Sequence, residues 1–319
     1  MASPSHKPQT PEQVLRRLEW TALRRLDGLL HGDYRTLWRG AGLDLADLRE
    51  YQLHDDVRHI DWNVTARLQH PYVRQYHEDR DLTAWFLLDL SGSIDFGSRE
   101  TAKRTVSSEF VALLARVLTR HGNRVGALMY GTEVDTVLPA RGGRGQVLQI
   151  LHRMTTRPIA SQRKGTDLAV LLHGAAETIR RRSLIFVVSD FISTPGWADP
   201  LGRLAQRHEV VAVRLFDPLE LQLPDLGLVV IEDAETGEQL FVDTHDVAFR
   251  RRFEQQAAAR EAALREAFAR AGVDALELST DGELVEAIVR FVEMRRLRQR
   301  TSGAAARLPS HLAPAGAAR

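Results

Sequence analysis

The chain has 319 residues, of which 44% are apolar and 27% are charged. This is enough apolar material for a hydrophobic core, and it excludes a disordered chain. Lys and Arg total 43 against 42 Asp and Glu, so the net charge of +1 provides no global reason to bind nucleic acid or an acidic membrane. The absence of cysteine excludes disulfides, thiolate zinc sites, iron–sulfur clusters and cysteine nucleophiles, and it fits a reducing compartment.

The sequence carries no visible membrane or export signal. No apolar run approaches the roughly 18 residues of a membrane span. The first ten residues, MASPSHKPQT, lack the apolar segment of a secretory signal. We therefore expect a cytoplasmic protein with no direct membrane insertion, which could still act beside a membrane through a partner.

The N-terminal part divides into a lead with a helix and a small module. Residues 1–31 are predicted as a flexible lead followed by a helix that starts at Thr10, Pro11 and Gln13, which form a capping-box signature. Helical periodicity fails over residues 32–82, which we interpret as a strand-rich module. Its predicted core is aromatic: Tyr34, Trp38, Tyr51, Trp62, Tyr72 and Tyr76.

From residue 83 the pattern changes to alternating strands and helices. Strands are predicted at 84–90, 124–130, 184–190, 210–216 and 275–278, with 133–138 pairing back on 124–130. Helices are predicted between them, the last starting with a Thr280/Glu283 capping box. Residues 227–243 indicate a hairpin insertion, and 301–319 a disordered tail. The pattern predicts an α/β domain over 83–300, built on a doubly wound, mostly parallel sheet.

Oxygen-bearing side chains follow two of the predicted strands. Asp89, Ser91 and Ser93 leave the first buried strand, Thr166 precedes a helix, and Asp190 ends another buried strand. Ligands bind such sheets beyond the carboxyl ends of the strands, where the strand order reverses. Because hard cations such as Mg²⁺ or Mn²⁺ prefer oxygen ligands, these five residues are a candidate metal site. Alternatively, the hydroxyls cap helices and Asp89 binds turn amides.

The D-x-S-x-S loop, the threonine before a helix and the later aspartate together resemble the metal-ion-dependent adhesion site of von Willebrand factor type A domains. The resemblance covers about residues 83–298. It implies that Ser91, Ser93 and Thr166 ligate the cation while Asp89 and Asp190 hold its waters. It further implies that an acidic side chain of a partner protein completes the shell.

Enzymatic interpretations find less support. A haloacid-dehalogenase-type phosphatase would use Asp89 as nucleophile and a second aspartate two residues on, where this chain has Ser91. Gly142–Gly145 is not followed by the G-K-[ST] of a phosphate loop, and Ser91 is not in a G-x-S-x-G elbow. We therefore predict a non-enzymatic protein. A metal-dependent hydrolase at the same site and a nucleic-acid binder acting through arginine-rich helices remain alternatives.

A second signature lies upstream, over residues 48–67. Its aspartates at 55, 56 and 61 and its arginines at 49, 58 and 67 predict either an ion-pair network that docks the small module or a partner-binding surface. The stretch resembles the signature of the bacterial family known as domain of unknown function 58, except that His54 stands where members usually have glycine. That family is commonly found with MoxR-type AAA+ ATPases, so the resemblance implies a role beside such an ATPase in assembly, remodelling or maturation of proteins.

Overall fold

The fold is taken from a computed structural model of the chain. It describes residues 10–21, 45–52, 57, 60–76, 82–97, 101–157, 165–232 and 239–301. Among the helices in these ranges, none is long and apolar enough to cross a membrane. Of the predicted tail, 301–319, Thr301 is the last residue of a helix, and 302–319 lie outside these ranges.

Helix α1 (Pro11–Thr21) begins at the predicted capping box. The Thr10 amide donates to Gln13 Oε1 over 2.9 Å, and the Gln13 amide donates to Thr10 Oγ1 over 3.3 Å. The backbone amides of Thr10 and Gln13, both at the N-terminus of the helix, are thereby hydrogen-bonded, as a capping box provides. The predicted continuation to about residue 30 lies outside the described residues.

The small module contains a helix as well as strands. Strands β1 (Leu45–Glu50) and β2 (Tyr72–Tyr76) pair antiparallel, and helix α2 (Trp62–Leu68) lies between them in the chain. Asp61 begins this helix, because its carboxylate accepts hydrogen bonds from the amides of Asn63 and Val64. The described residues of the module thus combine a helix with two strands.

The predicted aromatic core of the module is wrong at Trp62, whose exposure is 69%. Trp62 is the first residue of α2 and faces solvent, whereas Tyr51 and Tyr72 are half-buried. The sequence pattern could not show this, because one turn of a short helix changes which side of the chain an aromatic ring faces. Tyr34, Trp38, His54, Asp55, Asp56 and Arg58 lie outside the described residues.

A six-stranded sheet forms the centre of the main domain, and its strands are β3 (Thr83–Asp89), β4 (Arg124–Tyr130), β5 (Val134–Arg141), β6 (Leu184–Ser189), β7 (Glu209–Phe216) and β10 (Asp274–Ser279). Their order is β10–β7–β6–β3–β4–β5, parallel throughout except for the edge strand β5. The order reverses between β3 and β6, which pair directly. The predicted doubly wound, mostly parallel α/β fold is confirmed. Strands β8 (Leu228–Glu232) and β9 (Gln239–Asp243) form the predicted hairpin outside this sheet.

Helices cover both faces of the sheet: α3 (Lys103–Arg120), α4 (Arg144–Thr156), α5 (Leu168–Thr178), α6 (Ala198–Arg207), α7 (Val247–Ala271) and α8 (Leu284–Thr301). On one face Phe86 stacks on Phe186, with ring centroids 5.3 Å apart, and Phe110 of α3 meets both rings edge-on. On the other face, Leu87 packs in a cluster with Leu171 and Phe268. Alternate residues of β3 thus enter opposite cores, which explains its unbroken apolar sequence.

Three predicted helix boundaries differ from the structure. The sequence predicts Ser98 as the cap of the helix after β3; Ser98 lies outside the described residues, and helix α3 begins at Lys103 with Ala102 as its N-terminal flanking residue. The sequence predicts a helix over 166–182, and in the structure helix α5 spans Leu168–Thr178. Helix α8 begins at Leu284, and the hydroxyl of Thr280 donates to Asp217 Oδ2 over 2.7 Å. Thr280 is thus held by a tertiary contact rather than by the helix that local propensity predicts.

Candidate functional site

Asp89 lies fully buried at the carboxyl end of β3, beside the end of β6. Its Oδ1 accepts the Ser91 amide over 3.0 Å, and its Oδ2 accepts the Ser189 hydroxyl over 2.6 Å. Ser189 Oγ in turn accepts the amide of Phe191. The carboxylate therefore joins the two loops that leave the neighbouring strands at the reversal of strand order, where a doubly wound sheet binds its ligands.

The two serines of the D-x-S-x-S loop bring their hydroxyls together. Ser91 is extended, a 3₁₀ turn runs from Gly92 to Asp95, and Ser93 lies in that turn. Both serines are buried, and their Oγ atoms are 3.3 Å apart. Adjacent ligands in a magnesium octahedron with 2.0–2.1 Å bonds lie about 3 Å apart. The pair is thus spaced like two neighbouring corners of such an octahedron.

Asp190 follows β6 and is held by a buried lysine. Its Oδ1 accepts the Ile192 amide over 3.0 Å, and its Oδ2 accepts Lys103 Nζ over 2.7 Å. The same ammonium donates to Glu220 Oε1 over 2.6 Å, and the Lys103 side chain is fully buried. Lys103 is the first residue of α3, and Glu220 ends the 3₁₀ turn that follows β7. One ammonium thus connects three elements at this edge of the sheet.

Two pKa shifts describe the charge balance of the site. Burial, which removes water from the carboxylate, and the negative charge of Asp190 raise the pKa of Asp89 to about 6, although the Ser189 and Ser91 hydrogen bonds oppose the shift. Burial alone would lower the pKa of Lys103, but the carboxylates of Asp190 and Glu220 outweigh it and raise that pKa. Lys103 is therefore held protonated. Two carboxylates contact one ammonium, and the buried Asp89 carboxylate lies near Asp190, so an additional cation would be favourable here.

Thr166 lies against the loop that follows Asp190. Its carbonyl accepts the Thr194 amide over 2.9 Å and the Ser193 hydroxyl over 3.0 Å, and the threonine is buried. The next residue, Asp167, caps α5, and its backbone amide donates a hydrogen bond to the Tyr130 hydroxyl. The backbone of Thr166 is thus anchored at the same edge of the sheet. Its role as a direct ligand stays a prediction.

The loop after Asp190 is strained at Phe191, which has a φ of 57°. Such a value is unfavourable for a bulky side chain and persists only where the surroundings enforce it. The ring of Phe191 packs between Trp197 and Phe268, at centroid distances of 5.3 and 4.9 Å. This packing fixes the backbone that presents Asp190. A cavity of about 280 Å³ opens beside Asp190 against α7, with Arg214 and Glu220 in its lining.

The side chains of this site fit a small hard cation. They supply oxygen atoms, with two hydroxyls at octahedral spacing and a buried carboxylate whose pKa is raised by burial and by the negative charge of Asp190. Across the described ranges no three His, Cys, Asp or Glu side chains cluster so that they could hold a metal ion. A cation here would therefore depend on hydroxyl ligands as well as on the two aspartates.

Three further residues of this site are not predicted from the sequence: Lys103, Ser189 and Glu220. For Lys103 a signal existed, because positions 103, 107, 110 and 114 follow helical spacing and all are buried in α3. A lysine on the buried face of a helix needs acidic partners. Glu220 carries no comparable signal, since it reaches Lys103 from 117 residues away along the chain.

Comparison with known proteins identifies the family. A family model described as "Protein of unknown function DUF58" matches residues 47–263. The chain belongs to the DUF58 family. Uncharacterized proteins of Mycobacterium tuberculosis and Mycobacterium bovis are 40% identical over 285 residues, covering 89% of this chain and 89% of each relative. An uncharacterized protein of Mycobacterium avium is 38% identical over 161 residues, covering 50% of this chain and 95% of its own length.

Solved structures similar to this DUF58 chain are distant in sequence. An aerotolerance-related membrane protein from Bacteroides fragilis has a TM-score of 0.47 at 14% identity, covering 67% of this chain and 99% of its own. The VWA domain of SpRpn10 has a TM-score of 0.37 at 13% identity, covering 66% of this chain and 94% of its own. At these scores the likeness is loose, and the α/β assignment rests on the strand order described above.

Proposed function

We propose that this DUF58 protein is a non-enzymatic, metal-dependent protein-binding module. Mg²⁺ or Mn²⁺ would be held by Ser91, Ser93 and Thr166, with Asp89 and Asp190 in the outer shell. The observation that carries the proposal is the pair of buried hydroxyls 3.3 Å apart beside a buried carboxylate at the reversal of strand order. Hydroxyl ligands carry no charge, so a cation held by them keeps its attraction for an external anion.

A partner's aspartate or glutamate is the ligand that this chemistry favours. A bound dication would supply the attraction for its carboxylate, and the chain would supply the orientation. Asp89 holds the D-x-S-x-S loop through the Ser91 amide, and Asp190 is fixed by Lys103 and by the packed ring of Phe191. The cavity beside Asp190 leaves room for residues that flank the acidic one.

Lys103 does not serve as the base that a hydrolase needs near the attacked water, because the two carboxylates around it keep its amine protonated. The identity of the partner rests on the family resemblance alone. From it we propose that a MoxR-type AAA+ ATPase works with this protein in the cytoplasm, and that the client carries the acidic side chain.

Titration calorimetry with Mg²⁺ and Mn²⁺ tests the metal site. The wild-type protein is expected to release or absorb heat that saturates at one cation per chain. A variant with Asp89→Ala and Ser91→Ala is expected to lose this signal, because it lacks one hydroxyl ligand and the carboxylate that orients the loop. Identical heats for the two proteins would contradict the proposal.

A matched control variant distinguishes loss of the metal site from destabilisation of the fold. Ser108 is a buried serine of α3 whose hydroxyl donates to the Arg104 carbonyl, and Asp135 pairs with Arg157 on the surface. The double variant Ser108→Ala and Asp135→Ala removes the same two residue types elsewhere. It is expected to bind the cation like the wild type.

A further inference from the structure

The β8–β9 hairpin presents an apolar face that no described element covers. In its register Val230 lies opposite Phe241 and Leu228 opposite Asp243, so these residues share one face. The exposures of Leu228, Val230 and Phe241 are 74%, 49% and 70%. We call this set, together with Asp243, the outer face of the hairpin. On the opposite face Val242 is buried, whereas Leu240, closer to the turn, is 61% exposed.

The sequence of the hairpin is that of a strand pair buried on both sides. LVVIE and QLFVD are near-continuous apolar runs rather than alternating ones. A two-stranded hairpin is marginally stable in water unless it packs against something else. Soluble proteins rarely expose a contiguous apolar patch without an interaction to cover it. We therefore expect the outer face to be covered by a binding partner.

Hydrogen bonds and an ion pair anchor the base of the hairpin and so fix the orientation of its outer face. The Thr244 hydroxyl donates to the Gly227 carbonyl over 2.7 Å and accepts the Leu226 amide over 2.9 Å. Arg250 of α7 pairs with Asp225 and donates to the Thr244 carbonyl. These contacts join both strands to the start of α7, which fixes the direction of the outer face relative to the main domain.

Charge identifies the kind of partner. Residues 225–246 contain seven of the chain's 42 acidic residues and no Lys or Arg, although Lys and Arg total 43 over the whole chain. Asp243 and Asp246 of this segment lie at the base of the described hairpin, and Asp225 is paired with Arg250 of α7. Such a surface repels an anionic membrane, and it repels the hairpin of a second copy packed face to face. It attracts a basic protein surface.

We propose that the outer face of the hairpin docks a partner protein whose own surface presents apolar side chains surrounded by lysine and arginine. The apolar centre provides the affinity, and the acidic surroundings provide selection and orientation. This surface is separate from the candidate metal site and needs no cation. Docking here would therefore persist in EDTA, whereas binding at the metal site would not.

Fluorescence anisotropy with a short amphipathic helical peptide of leucine and lysine tests the proposal. The wild-type protein is expected to bind it, with an affinity that falls as salt rises and is the same in Mg²⁺ and in EDTA. Leu228→Ser with Phe241→Ser is expected to weaken binding at least about tenfold, since two exposed apolar side chains lose their contacts. Asp243→Asn with Asp246→Asn, which keep the local hydrogen-bond acceptors, is expected to weaken binding and reduce its salt dependence.

Three controls decide the outcome. A peptide of leucine and glutamate with the same pattern is expected not to bind. Val137→Ser, at an exposed apolar position of β5, is expected to bind like the wild type. Equal binding of the leucine–lysine peptide by wild type and the Leu228/Phe241 variant would overturn the proposal. So would a concentration-dependent dimer in ultracentrifugation that this variant abolishes, because the face would then belong to a second copy.

Discussion

Replacing Lys103 with methionine is expected to lower the free energy of unfolding by about 3–5 kcal/mol. Methionine retains the volume of the alkyl chain but leaves the carboxylates of Asp190 and Glu220 without their ammonium, 2.7 and 2.6 Å away in the wild type. Because Lys103 and Asp190 are fully buried, water cannot replace the lost charge. Urea unfolding followed by circular dichroism measures the difference.

Two comparisons make this result specific to the buried cluster. Arg17→Met removes the partner of Glu109, but half of the Arg17 side chain is exposed, so the loss is expected to stay below about 1 kcal/mol. Adding Glu220→Gln to Lys103→Met replaces one of the two carboxylates that lost their ammonium with a neutral amide. This is expected to restore part of the free energy of unfolding. A loss below about 1 kcal/mol for Lys103→Met would show that the ammonium does not hold this edge of the sheet.

Divalent cations are expected to stabilise the Lys103→Met protein more than the wild type. Asp190 and Glu220 then face no ammonium, so the negative potential around Asp89, Ser91 and Ser93 is expected to rise and the cation to bind more tightly. A ligand present at one hundred times its dissociation constant adds about 2.7 kcal/mol to the free energy of unfolding. Urea midpoints with Mg²⁺ or Mn²⁺ and with EDTA measure the effect in both proteins.

The site itself provides the control for this second result. Asp89→Ala with Ser91→Ala, introduced into the Lys103→Met protein, is expected to remove the cation effect. If Lys103→Met and wild type gain equally from the cation, the ammonium does not compete with it for Asp190. If neither gains at all, the metal site as proposed is wrong, whatever the role of Lys103 in stability.

The features predicted best from sequence are those with strong local or periodic signals. The capping box at Thr10 and Gln13, the unbroken apolar strand that ends at Asp89 and the hairpin at 227–243 all occur as predicted. Their signals arise from neighbours in the chain: a side chain that reaches a backbone amide three residues away, or burial on both faces of a strand. The start of α8 was placed wrongly because Thr280 bonds to Asp217, 63 residues away.

The upstream signature shows how many roles one charge pattern allows. The sequence predicts Asp61 in an ion-pair network, which stays a prediction because Asp55, Asp56 and Arg58 lie outside the described residues; the structure shows that the Asp61 carboxylate caps α2. Trp62 was expected in an aromatic core and is exposed. A run of aspartates, arginines and aromatics is compatible with caps, ion pairs and surfaces alike, because each depends on the direction in which the local backbone turns.

By itself the sequence determined the α/β class of this DUF58 protein, the positions of its buried strands and the set of oxygen-bearing residues at their ends, because strand burial and loop chemistry are encoded by nearest neighbours. Only the tertiary structure decided that Ser189 bonds Asp89, that Lys103 joins Asp190 to Glu220, and that the hairpin leaves one apolar face uncovered. These contacts join residues as many as 117 positions apart. Their partners are set by the packing of whole elements, for which a single sequence carries no local signal.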